Sequence, residues 1–71
     1  NWPGMKVRYF TDTDTLLIEL RDSRVRETRE LDEATTLDLD LQGRVCAITI
    51  ERASQRAGSP ELTYEQVDAR A

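Results

Sequence analysis

The stretch Leu37–Glu51, LDLDLQGRVCAITIE, carries the clearest pattern in the chain, with apolar and polar residues alternating on both sides of Gly43. A period of two residues is typical of β-strands that bury one face. Glycine readily adopts the positive φ that tight hairpin loops require. The stretch therefore predicts an antiparallel hairpin of two strands, TTLDLDL and RVCAITI.

The length of the hairpin loop decides which residues share a face. If Leu37 and Leu39 lie in the core with Cys46 and Ile48, paired residue numbers sum to an odd number, as with Leu39 opposite Cys46. That pairing requires a loop of two or four residues, whereas a three-residue loop turns the isoleucines outward. We expect the even loop, since burying one isoleucine stabilises a fold by roughly 1.5–3 kcal/mol.

Three further segments before this hairpin have the patterns of β-strands. Lys6–Phe10 and Leu16–Leu20 alternate at period two and predict a first hairpin around the aspartate-rich turn Thr11–Thr15. Val25–Leu31 alternates charges and has no apolar helical stripe, so we expect an edge strand there.

The C-terminal part changes character. The segment ERASQRAG can form a short helical turn that ends at Gly58, and Ser59 followed by Pro60 is a helix-start signature. The sequence thus predicts an α+β fold with a small antiparallel β-sheet, four or five strands in meander order, followed by a C-terminal helix. The expected core consists of Val7, Tyr9, Leu16, Ile18, Leu20, Leu37, Leu39, Cys46, Ile48 and Ile50.

The composition of the 71 residues excludes several classes of protein. A net charge of −4 disfavours nucleic acid and anionic membranes as partners. With Cys46 as the single cysteine and no histidine, an internal disulfide, a cysteine-based zinc site and a histidine-activated nucleophile are all excluded. We expect a cytoplasmic protein with one domain at residues 5–71, preceded by Asn1–Gly4 as a leftover of an expression vector.

The residues resemble a small bacterial family catalogued as domain of unknown function 2283. Family members share a Tyr-(x)4-Asp-x-Leu-x-Ile-x-Leu pattern, then Asp-x-Asp-x-x-Gly-Arg-Val-x-Gly-Ile-Glu-Ile and Ala-Ser. The matching positions are Tyr9, Asp14, Leu16, Ile18, Leu20, Asp38, Asp40, Gly43, Arg44, Val45, Ile48, Ile50, Ala53 and Ser54. Three positions depart from the family: Phe10 replaces Asp, Ala47 replaces Gly, and Thr49 replaces Glu.

The resemblance implies a small antiparallel sheet with a C-terminal helix, and it implies no established activity. Some family members resemble antitoxin-like genes that lie beside a toxin gene, which implies a toxin as a protein partner. Kinship of fold alone does not give a function.

The acidic residues are interpreted first as structural. We expect Asp14 to organise a turn, Asp38 and Asp40 to lie on a solvated face, and Cys46 to be a buried, inert thiol. No catalytic, cofactor or metal site is predicted.

The sequence favours a non-enzymatic protein-interaction module that forms a homo-oligomer, with a dimer preferred. The alternative is a self-associating β protein that binds a small ligand or a metal through its aspartates. The predicted interaction surface consists of Leu17, Val45, Ala47, Arg24 and Arg26.

Overall fold

A computed structural model describes residues 4–68 of the chain. In this range the elements are β1 Lys6–Phe10, β2 Thr15–Glu19, β3 Glu27–Asp32, β4 Thr35–Leu39, β5 Val45–Ile50 and the helix α1 Ala53–Ala57. All neighbouring strands pair antiparallel, in one open sheet of five strands. The predicted α+β class, with a short C-terminal helix after the sheet, is therefore confirmed.

The order of the strands is β1-β2-β5-β4-β3, so the predicted meander is wrong. Strand β5 contains no charged residue and takes the centre, where strands cover it on both sides. Residues 20–26 carry the chain from β2 to β3 past the ends of β5 and β4. Along this path the Leu20 N–H donates to the Cys46 carbonyl (2.7 Å) and the Arg26 N–H donates to the Leu39 carbonyl (2.7 Å).

The β4–β5 hairpin places Leu37 and Ile48 on one face, as predicted, but its loop length and register differ from the prediction. Leu37 lies opposite Ile48, as the parity argument requires, but Leu39 lies opposite Val45 and not opposite Cys46. An odd number of loop residues, 40–44, separates the two strands, and the register shifts between Asp38 and Leu39. The expected even loop is wrong, and this β-bulge compensates for it by inserting one extra residue.

The two faces of the sheet differ in polarity. One row across the sheet contains Val7, Ile18, Ile48 and Leu37, each opposite the next. We call this side the apolar face. The residues beside them in the strands point to the opposite, polar face, whose corresponding row contains Arg8, Leu17, Thr49 and Thr36.

The apolar face is only partly covered. Helix α1 lies over Leu16 and Ile50, and it is only about 7.5 Å long, whereas five strands span roughly 19 Å. Among residues 4–68, the buried apolar residues are Ala34, Leu39 and Cys46, which are 5%, 5% and 3% exposed. The prediction that Val7 belongs to the core is wrong, because its edge position leaves it 46% exposed.

The sequence contains two signals for a C-terminal helix, and only the earlier one forms a helix in the structure. Helix α1 ends at Gly58, which has φ 83° and donates its N–H to the Ser54 carbonyl (2.8 Å), as predicted for ERASQRAG. The helix predicted to begin at Ser59 and Pro60 is wrong, since residues 59–68 form neither helix nor strand. So short a segment without a regular apolar stripe has no tertiary packing to hold it helical.

The remaining predictions about organisation have mixed outcomes. The charged segment forms the edge strand β3, as expected. Asn1–Pro3 of the expected vector remnant lie outside the described residues, so that interpretation stays a prediction. In the described part of the chain, no helix is both long and apolar enough to span a membrane.

The difference between the faces predicts unequal effects of two neighbouring substitutions in β5. Ile48→Ala removes a side chain that contacts the apolar row and should lower the free energy of unfolding by about 2 kcal/mol. Thr49→Ala on the polar face should change it by less than about 0.5 kcal/mol. Urea denaturation of both variants checks this, and equal losses would contradict the assignment of the faces.

Candidate functional site

One cluster of polar side chains joins the β1–β2 turn to helix α1. The Asp14 carboxylate accepts hydrogen bonds from the Tyr9 hydroxyl, from the Ser54 N–H (3.0 Å) and from the Ser54 hydroxyl (2.7 Å). Asp14 also has φ 56°, a left-handed conformation that aspartate tolerates, and its carbonyl accepts the Ala53 N–H (2.9 Å). The predicted turn role of Asp14 is confirmed, and its carboxylate also caps α1.

The charges of this cluster argue against acid–base catalysis. The hydrogen bond from Tyr9, followed by those from Ser54, holds the pKa of Asp14 below its usual range. The same bond to Asp14 raises the pKa of Tyr9 above its usual value. A general base near neutral pH needs a raised carboxylate pKa, so the cluster is built to hold a turn.

Asp40 organises the β4–β5 loop from within the protein. Its Oδ1 accepts the N–H groups of Gln42 and Arg44 (both 2.9 Å), and its Oδ2 accepts Nε–H of Arg44 (3.0 Å). The prediction that Asp40 is solvated is wrong, because its residue is only 4% exposed. The Arg44 backbone N–H is the main cause of the lowered pKa of Asp40.

A third aspartate ties the β3–β4 turn to the helix. Asp32 accepts the Ala34 N–H (2.9 Å) and an Nη2–H of Arg56 (3.3 Å). The other terminal nitrogen of Arg56, Nη1, donates to the Thr35 hydroxyl. The Ala34 N–H is the main cause of the lowered pKa of Asp32. Sequence reasoning missed this contact, because the two segments are adjacent only in the folded chain.

The sequence-predicted interaction surface is only partly assembled. Leu17 and Ala47 line a shallow depression of about 380 Å³ on the polar face, together with Val25. Val45 lies at the bulge, outside this depression. Arg24 and Arg26 are exposed on the connection between β2 and β3.

The single thiol has the buried environment that the sequence predicts. Cys46 is 3% exposed, and burial raises the pKa of its thiol. Reactive cysteines have a lowered pKa and are accessible, so this thiol is a core side chain.

Sequence reasoning missed an open space that lies beside β1. Met5, Val7 and Ile18, here called the β1 strip, face the C-terminal segment across a gap of about 590 Å³. From that segment, Leu62, Thr63, Tyr64 and Gln66 line the other side. Met5 and Tyr64 are 75% and 74% exposed, so the gap leaves apolar side chains in contact with water.

The carboxylates do not converge on a cation. Among residues 4–68, no group of three or more cysteine, aspartate or glutamate side chains is arranged to hold a metal ion. Asp14, Asp32 and Asp40 each use their oxygens for hydrogen bonds within the protein.

Fold and site together define a class: a small α+β protein whose open antiparallel sheet is fastened by aspartate-centred turns. The family model described as protein of unknown function (DUF2283) matches residues 6–54, and the chain belongs to this family. Searches of curated proteins and of solved structures returned no match. The matched range contains Tyr9, Asp14, Asp40, Arg44 and Ser54, so the family pattern is the signal that could have pointed to both turn clusters, although Asp40 was assigned to solvent.

Removing the Asp14 carboxylate should destabilise the protein. Asp14→Asn weakens the acceptor for Tyr9 and Ser54, and we expect the melting temperature to fall on the order of 5 °C or more. Asp12→Asn, at an exposed position in the same turn, is the matched control and should leave the melting temperature nearly unchanged. Circular dichroism melts at pH 7 measure both, and equal losses would contradict the capping role of Asp14.

The three aspartates with lowered pKa values also set the response to acid. Each is ionised more easily in the folded chain, so its contribution is complete above the unfolded pKa of about 3.9. That contribution is lost as the pH falls through the lower folded pKa. We expect a flat melting temperature from pH 7 to 5 and a steep fall below about pH 4.

The acid response separates Asp14 from the other aspartates. Asp14→Asn should lower the melting temperature at pH 7 and reduce its fall between pH 5 and pH 2. The raised pKa of Tyr9 has the opposite sign, so its contribution is present below about pH 10 and is lost as the pH rises through the folded value. An unchanged acid profile in the variant would show that Asp14 is not held ionised by the fold.

Proposed function

We propose that the protein is a non-enzymatic protein-interaction module that works as a homo-oligomer, with the dimer as the basic unit. The observation that carries this proposal is the apolar face, which lacks a complete second layer. A sheet with one apolar face is stable when another layer covers that face, and within residues 4–68 only α1 and an irregular segment lie over it. A small chain gains the missing buried area by association.

The β1 strip is the part of the apolar face that we propose as the contact surface. Met5 and Val7 are 75% and 46% exposed and border the gap of about 590 Å³. Exposed apolar residues that adjoin one another mark interaction sites, whereas isolated ones are ordinary.

Other features support a binding role more than an enzymatic one. The chain has no histidine, and its clustered aspartates have lowered pKa values that make them poor bases. The free thiol fits a reducing compartment such as the bacterial cytoplasm. Binding of a toxin as an antitoxin-like protein stays a prediction, which co-elution with a neighbouring gene product tests.

Two valines provide a matched test of the surface. Val7 lies on the β1 strip and Val25 beside Leu17 on the polar face, and each is 46% exposed. Each also stands between two basic residues, so glutamate meets the same local charges in both positions. We expect Val7→Glu to weaken self-association about tenfold or more and Val25→Glu to leave it unchanged.

Sedimentation equilibrium over a range of concentrations gives the readout, with circular dichroism confirming that both variants fold. The wild type should approach twice the 8.2 kDa of one chain. A wild type that stays at 8.2 kDa at the highest concentration overturns the proposal. If only Val25→Glu weakens self-association, the contact surface lies on the polar face, where the sequence analysis had placed it.

A further inference from the structure

The two edges of the sheet differ in how well they resist a further strand. Strand β3 is interrupted by a register shift and is dominated by charge, which are two common protections of an edge. Strand β1 pairs with β2 in regular register at all five positions from Lys6 to Phe10 and contains no acidic residue. The edge of β1 is therefore the one suited to an added strand, and its charge favours an acidic one.

The C-terminal segment Glu61–Asp68 has the pattern of such a strand. It is exposed throughout and forms no helix or strand of its own. In an extended conformation, Leu62 and Tyr64 share one side, which continues with Gln66 and Asp68 at the end of the segment. Glu61 and Glu65 share the other side with Thr63 and Val67. The segment thus combines one apolar side with one acidic side.

Strand β1 presents the complementary pair of sides. Val7 and Tyr9 belong to the apolar face, whereas Lys6 and Arg8 lie on the polar face, where Arg8 also forms an ion pair with Glu19 (2.9 Å). A strand added at this edge continues both faces, apolar beside apolar and acidic beside basic. Opposite charges and apolar pairs across neighbouring strands both stabilise a sheet.

Within one chain the segment does not lie along this edge. It leaves α1 at Gly58, close to Leu16, and passes over Val7 on the apolar face. In that position Leu62 and Tyr64 remain 57% and 74% exposed. Eight extended residues reach about 26 Å, which is enough to leave the chain's own sheet and run along a neighbouring one.

We propose that Glu61–Asp68 of one copy adds as a strand to the β1 edge of a second copy, reciprocally, in a two-fold dimer. The occupant of the edge is thus a second copy of this chain, bound through main-chain pairing and alternating side chains. This inference rests on the proposed self-association and deepens it by naming the segment that makes the contact.

Substitutions in the segment test the added strand without changing a residue of the sheet itself. The double variant Leu62→Ser, Tyr64→Ser should weaken the dimer about tenfold or more. Val67→Ser is the control, since Val67 is as exposed as Tyr64 (73% and 74%) but lies on the acidic side. The control should stay within about twofold of the wild type.

Mixing two defective copies tests whether the contact is made between chains. One copy carries Leu62→Ser with Tyr64→Ser, and the other carries Val7→Glu. Each fails to dimerise alone at micromolar concentration, but a mixture retains one intact segment and one intact β1 edge facing each other. We expect the mixture to form heterodimers, detected by native mass spectrometry, with about the affinity of a single exchanged contact.

The outcomes separate this inference from the proposed function. If Val7→Glu weakens the wild-type dimer but the segment variants leave it intact, the β1 strip remains the contact surface and the added strand is overturned. Segment variants that weaken the dimer without any rescue in the mixture show a contact within one chain and also overturn it. A wild type that never associates overturns the proposed function and this inference together.

Discussion

The structure depends on one constraint, which is that the apolar face has too little of its own chain to cover it. The row through Val7, Ile18, Ile48 and Leu37 continues across four strands, but α1 covers only the end at Leu16 and Ile50. Hydrophobic burial is the main favourable term in folding and scales with the apolar area removed from water. Val7 is 46% exposed and the rest of this row is only partly buried, so the 71-residue chain has a direct energetic reason to associate.

The aspartate-centred turns compensate in part for that thin core. Asp14, Asp32 and Asp40 each accept hydrogen bonds from backbone N–H groups at places where strands end or the helix begins. Asp14 bonds to α1 directly at Ser54, and Asp32 does so through Arg56. The helix is therefore attached to turns of the sheet near both of its ends. Local polar contacts thus position the one element that covers the apolar face, and they do so without enlarging the core.

Sequence alone predicted what depends on local pattern and missed what depends on distant contacts. Period-two alternation correctly placed the strands. The prediction that Leu37 and Ile48 share a face was also right, because the two residues lie opposite each other in the β4–β5 ladder. The strand order was wrong because no local signal states that uncharged β5 prefers the centre to a place at the edge. The burial of Asp40 was wrong for a related reason: alternation assigned it to water, whereas the loop it organises folds back over it.

The same distinction explains the C-terminal segment. Ser59 and Pro60 are valid local signals for a helix start, but a helix this short needs an apolar face to pack against. Leu62 and Tyr64 are two residues apart, which suits a strand and not a helical stripe. A segment with strand periodicity and no strand beside it in its own chain is unsatisfied in the same way as the apolar face. Pairing the segment with the β1 edge of a second copy would supply that strand and would bring Leu62 and Tyr64 beside Val7 and Tyr9.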